Sequence, residues 1–395
     1  MAAPHSPHRQ RQHHIGINAH LLSGEAGYRR AGIHQYIYQV LRHLPADGRA
    51  YTIYTRQTDG WEARPDWRVR STALPTERPA GRIAWEQAVW PWRARRDRLD
   101  LLHSMAFAMP MAFAMPWLAP CPAVVTLYDL SFVHYPDTFP PWQRRYLHGA
   151  TAASCRHARR LITISESGKQ DVHRVYGVPL ERIDVVVPGV GDAYRPLPPD
   201  EIAAFRRRHG LPDRFLLHVG TLQPRKNVPL LLDALARLGR PDAPLVLVGG
   251  KGWLYDAIFR RVGELGLADR VRFAGYVDDD ELPLWYNAAA ALVFPSLYEG
   301  FGLPIVEALA CATPVVAARA SSLPEAGGAA ALYFDPTDAD ELAARLADVL
   351  DDADLVAHLR DAGPAQARRF SWARAGQETA AVYDRALAGP AERRR

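Results

Sequence analysis

No uninterrupted run of about 18 hydrophobic residues occurs in the chain, so no transmembrane helix is expected. The opening stretch "MAAPHSPHRQRQHH" has no apolar signal-peptide core, and residues 1–13 read as a disordered polar tail. Cysteine is scarce. Cys121, Cys155 and Cys311 lie far apart and form no C-x-x-C, which points to free, mostly buried thiols in a reducing cytosol. No G-x-G-x-x-G follows the first apolar strand. The glycines there are Gly24, Gly27 and Gly32, and their spacing excludes the fingerprint of a nicotinamide-dependent dehydrogenase. No nucleic-acid recognition motif accompanies the basic residues, so nucleic acid is not expected as a partner.

What is present suits a two-domain enzyme. A length of 395 residues favours two domains over one, and 48% hydrophobic content is ordinary for a soluble globular enzyme. Through Arg195 the chain carries 25 Lys and Arg against 16 Asp and Glu; the remainder carries 23 against 27. A basic front half and a mildly acidic back half fit two domains with different partners. The excess sits in "WRARRDR" (92–98) and "RRYLHGATAASCRHARR" (144–160). Such runs are either solvated helix faces or a face that meets anionic lipid headgroups or an anionic acceptor.

Short Val/Leu/Ile-rich strands alternate with helical patterns. The first series is "HIGINA" (14–19), "YTIYT" (51–55), "LDLLHS" (99–104), "AVVTLYD" (123–129), "RLITIS" (160–165) and "DVVVPGV" (184–190). A Pro-rich linker, "DAYRPLPPDE" (192–201), follows. The second series is "RFLLHVGT" (214–221), "APLVLVGG" (243–250), "VRFAGYV" (271–277), "AALVFPS" (290–296) and "TPVVAA" (313–318). Alternation of this kind predicts an α/β chain with two doubly wound parallel sheets, over 14–195 and 196–370. Ligands in such sheets sit at the carboxyl ends of the strands, and the cleft between two facing domains is the expected site. The tandem "MAFAMP" repeat (105–116) follows the strand "LDLLHS" and reads as a loop duplication, with an apolar lip towards the cleft as the alternative.

The carboxyl ends of the second series carry the chemistry. Arg225 and Lys226 stand at a strand-to-helix turn, where two adjacent cations neutralise a diphosphate. Lys251 follows "LVLVGG". "LYEGFGLPIVEAL" (297–309) then places Glu299 and Glu307 on either side of a turn holding Gly300, Gly302 and Pro304. Pro304 suits a first helical turn, the glycines allow backbone to approach a ligand, and the free N–H groups favour an anion. Glu307 can accept from a ribose diol and Glu299 from a second polyol. A ribose, a diphosphate and a sugar make a nucleotide sugar.

These residues, in this order, resemble the retaining glycosyltransferases of family 4 (glycosyl transferases group 1), closest to bacterial mannosyltransferase-type members. The resemblance spans nearly the whole chain, from "RAGIHQYIYQVL" (30–41) through "HVGTLQPRKN" and "PSLYEGFGLPIVEALACATPVVA" to "FSWARAGQETAAVYDRAL" (370–387). It implies the GT-B fold: two Rossmann-like domains facing across a cleft, the first on the acceptor side, with a final helix near 371–388 crossing back onto it. It also implies roles. Arg225 and Lys226 would bind the donor diphosphate. Glu299, with the N–H groups of Phe301, Gly302 and Leu303, would hold the hexose, and Glu307 the ribose. Gly32 would close over the phosphates, and Tyr276 and Val277 would flank the base. GDP-mannose is the donor expected from the resemblance, with a glycan or lipid-linked acceptor and no further cofactor.

One departure stands out. Family members commonly carry His-Asp after the strand "VVTLY"; this chain has Tyr128-Asp129. A phenol with an unperturbed pKa of about 10 can hydrogen-bond donor or acceptor but is a poor base near neutrality. His103 and His134 are the nearby substitutes. Front-face attack, with the departing phosphate taking the acceptor proton, needs leaving-group stabilisation more than a side-chain base. "DDD" (278–280) is read as capping the next helix rather than binding metal. Two other functions stay open: a GT-B epimerase or phosphorylase, and a non-catalytic sugar-nucleotide-binding module.

Overall fold

Thirteen strands build two wholly parallel sheets in the computed structural model, which describes residues 12–22, 32–56, 64–76, 78–105, 108–111, 119–250, 252 and 255–388. The first sheet contains β1 (His14–Asn18), β2 (Ala50–Tyr54), β3 (Trp67–Arg70), β4 (Leu101–Ser104), β5 (Ala123–Leu127), β6 (Arg160–Thr163) and β7 (Ile183–Val185), in the order β3-β2-β1-β4-β5-β6-β7. The second contains β8 (Leu216–Val219), β9 (Leu245–Val248), β10 (Val271–Gly275), β11 (Ala291–Phe294), β12 (Val315–Ala318) and β13 (Leu332–Phe334), in the order β10-β9-β8-β11-β12-β13. Each order reverses once, at β1–β4 and at β8–β11, and the carboxyl ends there open the crevices where such sheets take ligands.

Central strands such as "LLHV", "LVLV" and "ALVF" are buried at every position, as strands covered by helices on both faces must be. Two strands escape the sequence reading. β3 is "WRVR", an edge strand with arginines in place of an apolar run, and β13 is the three-residue "LYF". The expected linker is partly helical, because Pro199 opens the helix Pro199–His209.

The final helix, Trp372–Leu387, leaves the second domain and packs on the helix Ile33–Arg42 and on β4, β5 and β6. Its backbone comes so close that a Cβ on Gly376 would lie 2.1 Å from the carbonyl oxygen of His43, and one on Gly189 would lie 2.1 Å from the nitrogen of Trp372. Tyr383 on this helix shares a 2.7 Å hydrogen bond with Nδ1 of His103, whose Nε2 meets Thr126 at 2.8 Å. Both ring nitrogens are used and burial pulls the pKa down to about 3, so His103 is a core residue rather than a base.

The two domains touch across the cleft. The Tyr298 hydroxyl donates to Asp171 at 2.9 Å and accepts from the N–H of Leu130 at 3.1 Å. Glu325 accepts from the N–H groups of Glu166 and Ser167, at 2.8 and 2.7 Å, at the start of the helix Glu166–Tyr176. A carboxylate there completes the orphan donors of a helix from the opposite domain.

Candidate active site at the second strand-order reversal

β8 ends at Val219, and the chain turns through Pro224–Lys226 into the helix Val228–Leu238. β11 ends at Phe294 and leads into the Leu297–Glu299 segment. The two turns are tied by a backbone bond from Leu297 N–H to the Arg225 carbonyl, 2.9 Å. Between them Glu299 is clamped: Oε1 lies 2.6 Å from Lys226 Nζ and Oε2 lies 2.7 Å from Arg225 Nη1. Arg225 Nη1 also donates to the Tyr298 carbonyl at 2.7 Å. The Lys226 ammonium stands 5.0 Å above the Phe294 ring.

This cluster is buried, and its charges hold one another. Burial alone would raise the Glu299 pKa, but Arg225 and Lys226 outweigh it and bring it down to about 2. Lys226 is 8% exposed; burial pulls its pKa below the usual lysine range, with Glu299 pulling the other way. Ser321 and Ser322 fix the backbone here: Ser321 accepts from Glu299 N–H at 2.9 Å, and Ser322 donates to the carbonyls of Glu299 and Phe301, each at 2.9 Å.

Gly300 and Gly302 are needed for different reasons. A Cβ on Gly300 would meet the carbonyl oxygen of Tyr128 at 2.1 Å, across the cleft. Gly302 sits at φ +120°, before the helix Leu303–Ala310 with its proline in the first turn. Leu303 packs against the cores of both domains, and Phe301 is buried against Phe370. Glu307, further along the helix, accepts the Tyr286 hydroxyl at 2.8 Å. Burial pushes its pKa up to about 7, against the pull of that bond.

Arg225, Lys226, Glu299 and the backbone of Phe301, Gly302 and Leu303 thus lie around one reversal point. Gly32 stands at φ +56° before the helix Ile33–Arg42, with open space where a side chain would be. Tyr276 is exposed and Val277 packs on the second core, both just past β10. Lys251, most of the MAFAMP repeat and residues 1–11 lie outside the described residues. Gly250 and Gly252, which flank Lys251, are bonded to Leu222 at 3.0 and 3.1 Å.

Three expectations need correction. Tyr128 does not present its phenol to the cleft: it is 3% exposed, donates to the Met105 carbonyl at 3.0 Å, and burial pushes its pKa well above the usual range. Its neighbour Asp129 stays near the cations but holds the N–H and hydroxyl of Ser131, at 2.9 and 2.7 Å. Asp278, Asp279 and Asp280 do not cap the next helix. That helix is Leu282–Ala288, Glu281 precedes it in helical conformation, and no side chain caps it. Among the described residues no group of three or more His, Cys, Asp and Glu could hold a metal ion. His134, the other candidate base, rests 3.4 Å from Asp171 and 4.8 Å, ring to ring, from Tyr298.

Sequence reasoning missed Tyr298, the residue that joins the domains, although it directly precedes Glu299. It also missed Tyr286, a member of "LPLWYNA" that reads as ordinary helix core.

Comparisons place this geometry among known proteins. The pattern described as "Glycosyl transferases group 1" matches residues 201–366, and "Glycosyltransferase Family 4" matches residues 30–193. The chain is 35% identical to O-antigen chain mannosyltransferase B of Escherichia coli, over 74% of this chain and 76% of that one. It is 32% identical to D-inositol 3-phosphate glycosyltransferase of Thermobispora bispora, over 92% and 91%. Anabaena HepE, solved with UDP and glucose, superposes with a TM-score of 0.72 at 22% identity, covering 95% of this chain and all of that one, and shares the GT-B fold.

Proposed function

The chain belongs to the family 4 glycosyltransferases and carries their group 1 domain, and from that premise we propose that it moves a hexose from a nucleoside diphosphate sugar to a glycan or lipid-linked acceptor, with retention at the anomeric carbon and without a metal ion. The observation that carries this reading is Glu299 clamped between Arg225 and Lys226. Two cations held in place before the donor arrives need no reorganisation as charge grows on the departing diphosphate. The bond from the anomeric carbon to the phosphate oxygen breaks. The acceptor oxygen bonds to that carbon on the same face, and its proton passes to the departing phosphate oxygen. This route asks for no protein base, and the burial of Tyr128 and the saturation of His103 agree with it.

GDP-mannose is the proposed donor, supported by the mannosyltransferase relative. The proposed location is the cytoplasm, with the basic first domain against the anionic inner face of the membrane. Exposed Trp92, flanked by Arg93 and Arg96 at 5.4 and 5.1 Å, and exposed Trp142 supply the amphipathic contacts such a surface uses. Among the described residues no helix is long and apolar enough to cross a membrane.

The test is a panel of labelled GDP-mannose, UDP-glucose, UDP-N-acetylglucosamine and dTDP-rhamnose, with products analysed by NMR. The expected result is release of one nucleoside diphosphate, an anomeric configuration equal to the donor's, and no loss of rate in chelator. An epimerised donor without transfer points to the epimerase alternative, and chelator-sensitive activity restored by Mn²⁺ removes the metal-free mechanism.

A further inference from the structure

The first sheet has its own strand-order reversal, at β1–β4, and a polar cluster is built there. Its centre is Glu86. The segment before β4 is wound as a helix (Pro79–Ala84), one wider π turn (Trp85–Val89) and a second helix (Trp90–Arg96). Single π turns inside helices are frequent at functional sites. Here Trp85 and Trp90 stack at 5.8 Å and anchor the turn on Tyr54, at 5.7 and 6.4 Å. The turn carries Glu86 to the end of β1, where it is 2% exposed and accepts from Asn18 Nδ2 at 3.0 Å. Arg82 is 3.9 Å away, an ion pair without a hydrogen bond among the described residues. A carboxylate offers about four lone-pair positions, so most of this one's capacity is unspent.

Its neighbours are in the same condition. His20 is 3% exposed; Nδ1 meets Thr76 at 3.1 Å, while the buried Nε2 has no partner among the described residues. Gln87 accepts Met111 N–H at 2.6 Å through its amide oxygen, and its buried Nε2 has no full-geometry hydrogen bond among the described residues. Tyr146, beside Glu86, faces the Gln87 amide with its buried hydroxyl, and neither atom has another partner among the described residues. Buried polar groups are rarely left unmet without a water, ligand or functional reason. These atoms offer donors and acceptors mixed, on one carboxylate and three neutral groups, which suits the hydroxyls of a sugar rather than an anion.

The cluster also borders the donor turn. The Asn18 carbonyl accepts from Met105 N–H at 3.3 Å, the Met105 carbonyl accepts from the Tyr128 hydroxyl at 3.0 Å, and the Tyr128 carbonyl fits the space left by Gly300. Building on the proposed transferase reading, we infer that Glu86, His20, Gln87 and Tyr146 form the subsite that grips the hydroxyl groups of the acceptor sugar.

The test uses the full chain and a panel of octyl hexopyranosides (α-mannoside, β-glucoside, β-galactoside and α-rhamnoside) with the donor found above. The variants are Glu86→Gln and Gln87→Ala, the second at a half-buried side chain that the fold tolerates more readily. Calorimetric affinity for nucleoside diphosphate should stay within about twofold, which shows an intact donor site. KM for the best glycoside should rise tenfold or more, with kcat changed less, and the ranking of epimeric glycosides should shift. Unchanged KM and ranking in both variants overturn the inference. So does a parallel fall of diphosphate affinity and glycoside kinetics, which marks the cluster as structural. If the wild type, loaded with diphosphate, shows no saturation-transfer signal from any glycoside, the inference also fails. A wild type that neither binds nor turns over any donor instead removes the transferase reading itself.

Discussion

At the β8–β11 reversal each charged side chain has found another: Glu299 takes both Arg225 and Lys226, and the serines after β12 hold its backbone. At the β1–β4 reversal the polar groups are gathered but only partly matched: the buried Nε2 of His20 has no partner among the described residues, and Gln87 Nε2 and the Tyr146 hydroxyl have only each other. The two crevices have the same topological position and opposite states of satisfaction. The ligands proposed for them account for the contrast. A site for a polyanion needs cations, and unpaired buried cations are too destabilising to leave alone, so the protein supplies its own counter-charge. A site for a neutral polyol needs only hydrogen-bonding groups, and each unmet one costs only about 1–3 kcal/mol. On the proposed reading, net charge is a poor guide to where an anion binds. Arg225 and Lys226, the cations proposed to take the diphosphate, sit in the more acidic half of the chain, where local pairing rather than bulk excess sets the field.

The comparison can be broken from either side. The largest effect is expected from Glu299→Gln, which leaves two buried cations uncompensated. Unfolding experiments should show a loss of about 3–5 kcal/mol, and GDP should raise the Tm of this variant more than that of the wild type. Equal ligand shifts would mean that Glu299 does not serve as the stand-in charge. Lys226→Ala should then reduce the transfer rate roughly 10²- to 10³-fold, as loss of one preorganised stabiliser of a developing oxyanion does. A change confined to donor KM in steady-state kinetics would place Lys226 in ground-state binding instead.

Tyr298→Phe removes the hydroxyl that joins the halves. It should cost about 1–3 kcal/mol, read as slower transfer with diphosphate affinity unchanged by calorimetry, because the donor side remains whole. Gly300→Ala should act alike, since its Cβ has no room against Tyr128. If either variant loses diphosphate binding, the second crevice is not independent of the first.

The most gradual effect concerns pH. Glu307 is raised to about 7 in the folded chain, from an ordinary 4.5. The native state therefore holds that proton through a window where the unfolded chain has released it, and stability from this group declines as pH rises from 4.5 to 7. Relative to wild type, Glu307→Gln should gain about 3 kcal/mol across that window. Denaturation at pH 5, 6, 7 and 8 measures it, and a difference that does not vary with pH would show that Glu307 titrates normally. Glu299 runs the other way. Its pKa is held at about 2, so its contribution is full above 4.5 and is lost only as pH falls towards 2.

The second crevice was largely legible before any coordinates. Its strands are unbroken Val/Leu/Ile runs, and its chemistry is crowded into the turns after β8 and β11, where sequence neighbours are also spatial neighbours. The first crevice was not. Glu86 is one acid in a Trp-rich helical stretch, and hydrophobic periodicity carries no signal for a π turn that rotates it inward. Its partners Asn18, His20 and Tyr146 come from distant segments. Tyr128 misled in the opposite sense. Its adjacency to Asp129 suggested a place in the cleft, but a strand alternates its faces, and the fold aims the phenol into the core while turning the carbonyl towards Gly300. β3 stayed hidden because an edge strand can carry arginines in place of an apolar run.

The crossing of Trp372–Leu387 back onto the first domain has a consequence for how the chain is made. About 190 residues separate β7 from this helix. At about 5–20 residues per second the ribosome needs roughly 10–40 s to add them. Throughout that interval Ile37, Val40, Leu41 and Tyr36 lack the cover that Ala375, Val382 and Tyr383 later provide. The half that emerges first is thus the half completed last, while the second domain can close on itself as soon as it leaves the exit tunnel. A nonsense codon within Trp372–Leu387 would strike the amino-terminal half, through an open apolar seam that holdase chaperones or other nascent chains would find before the missing helix could.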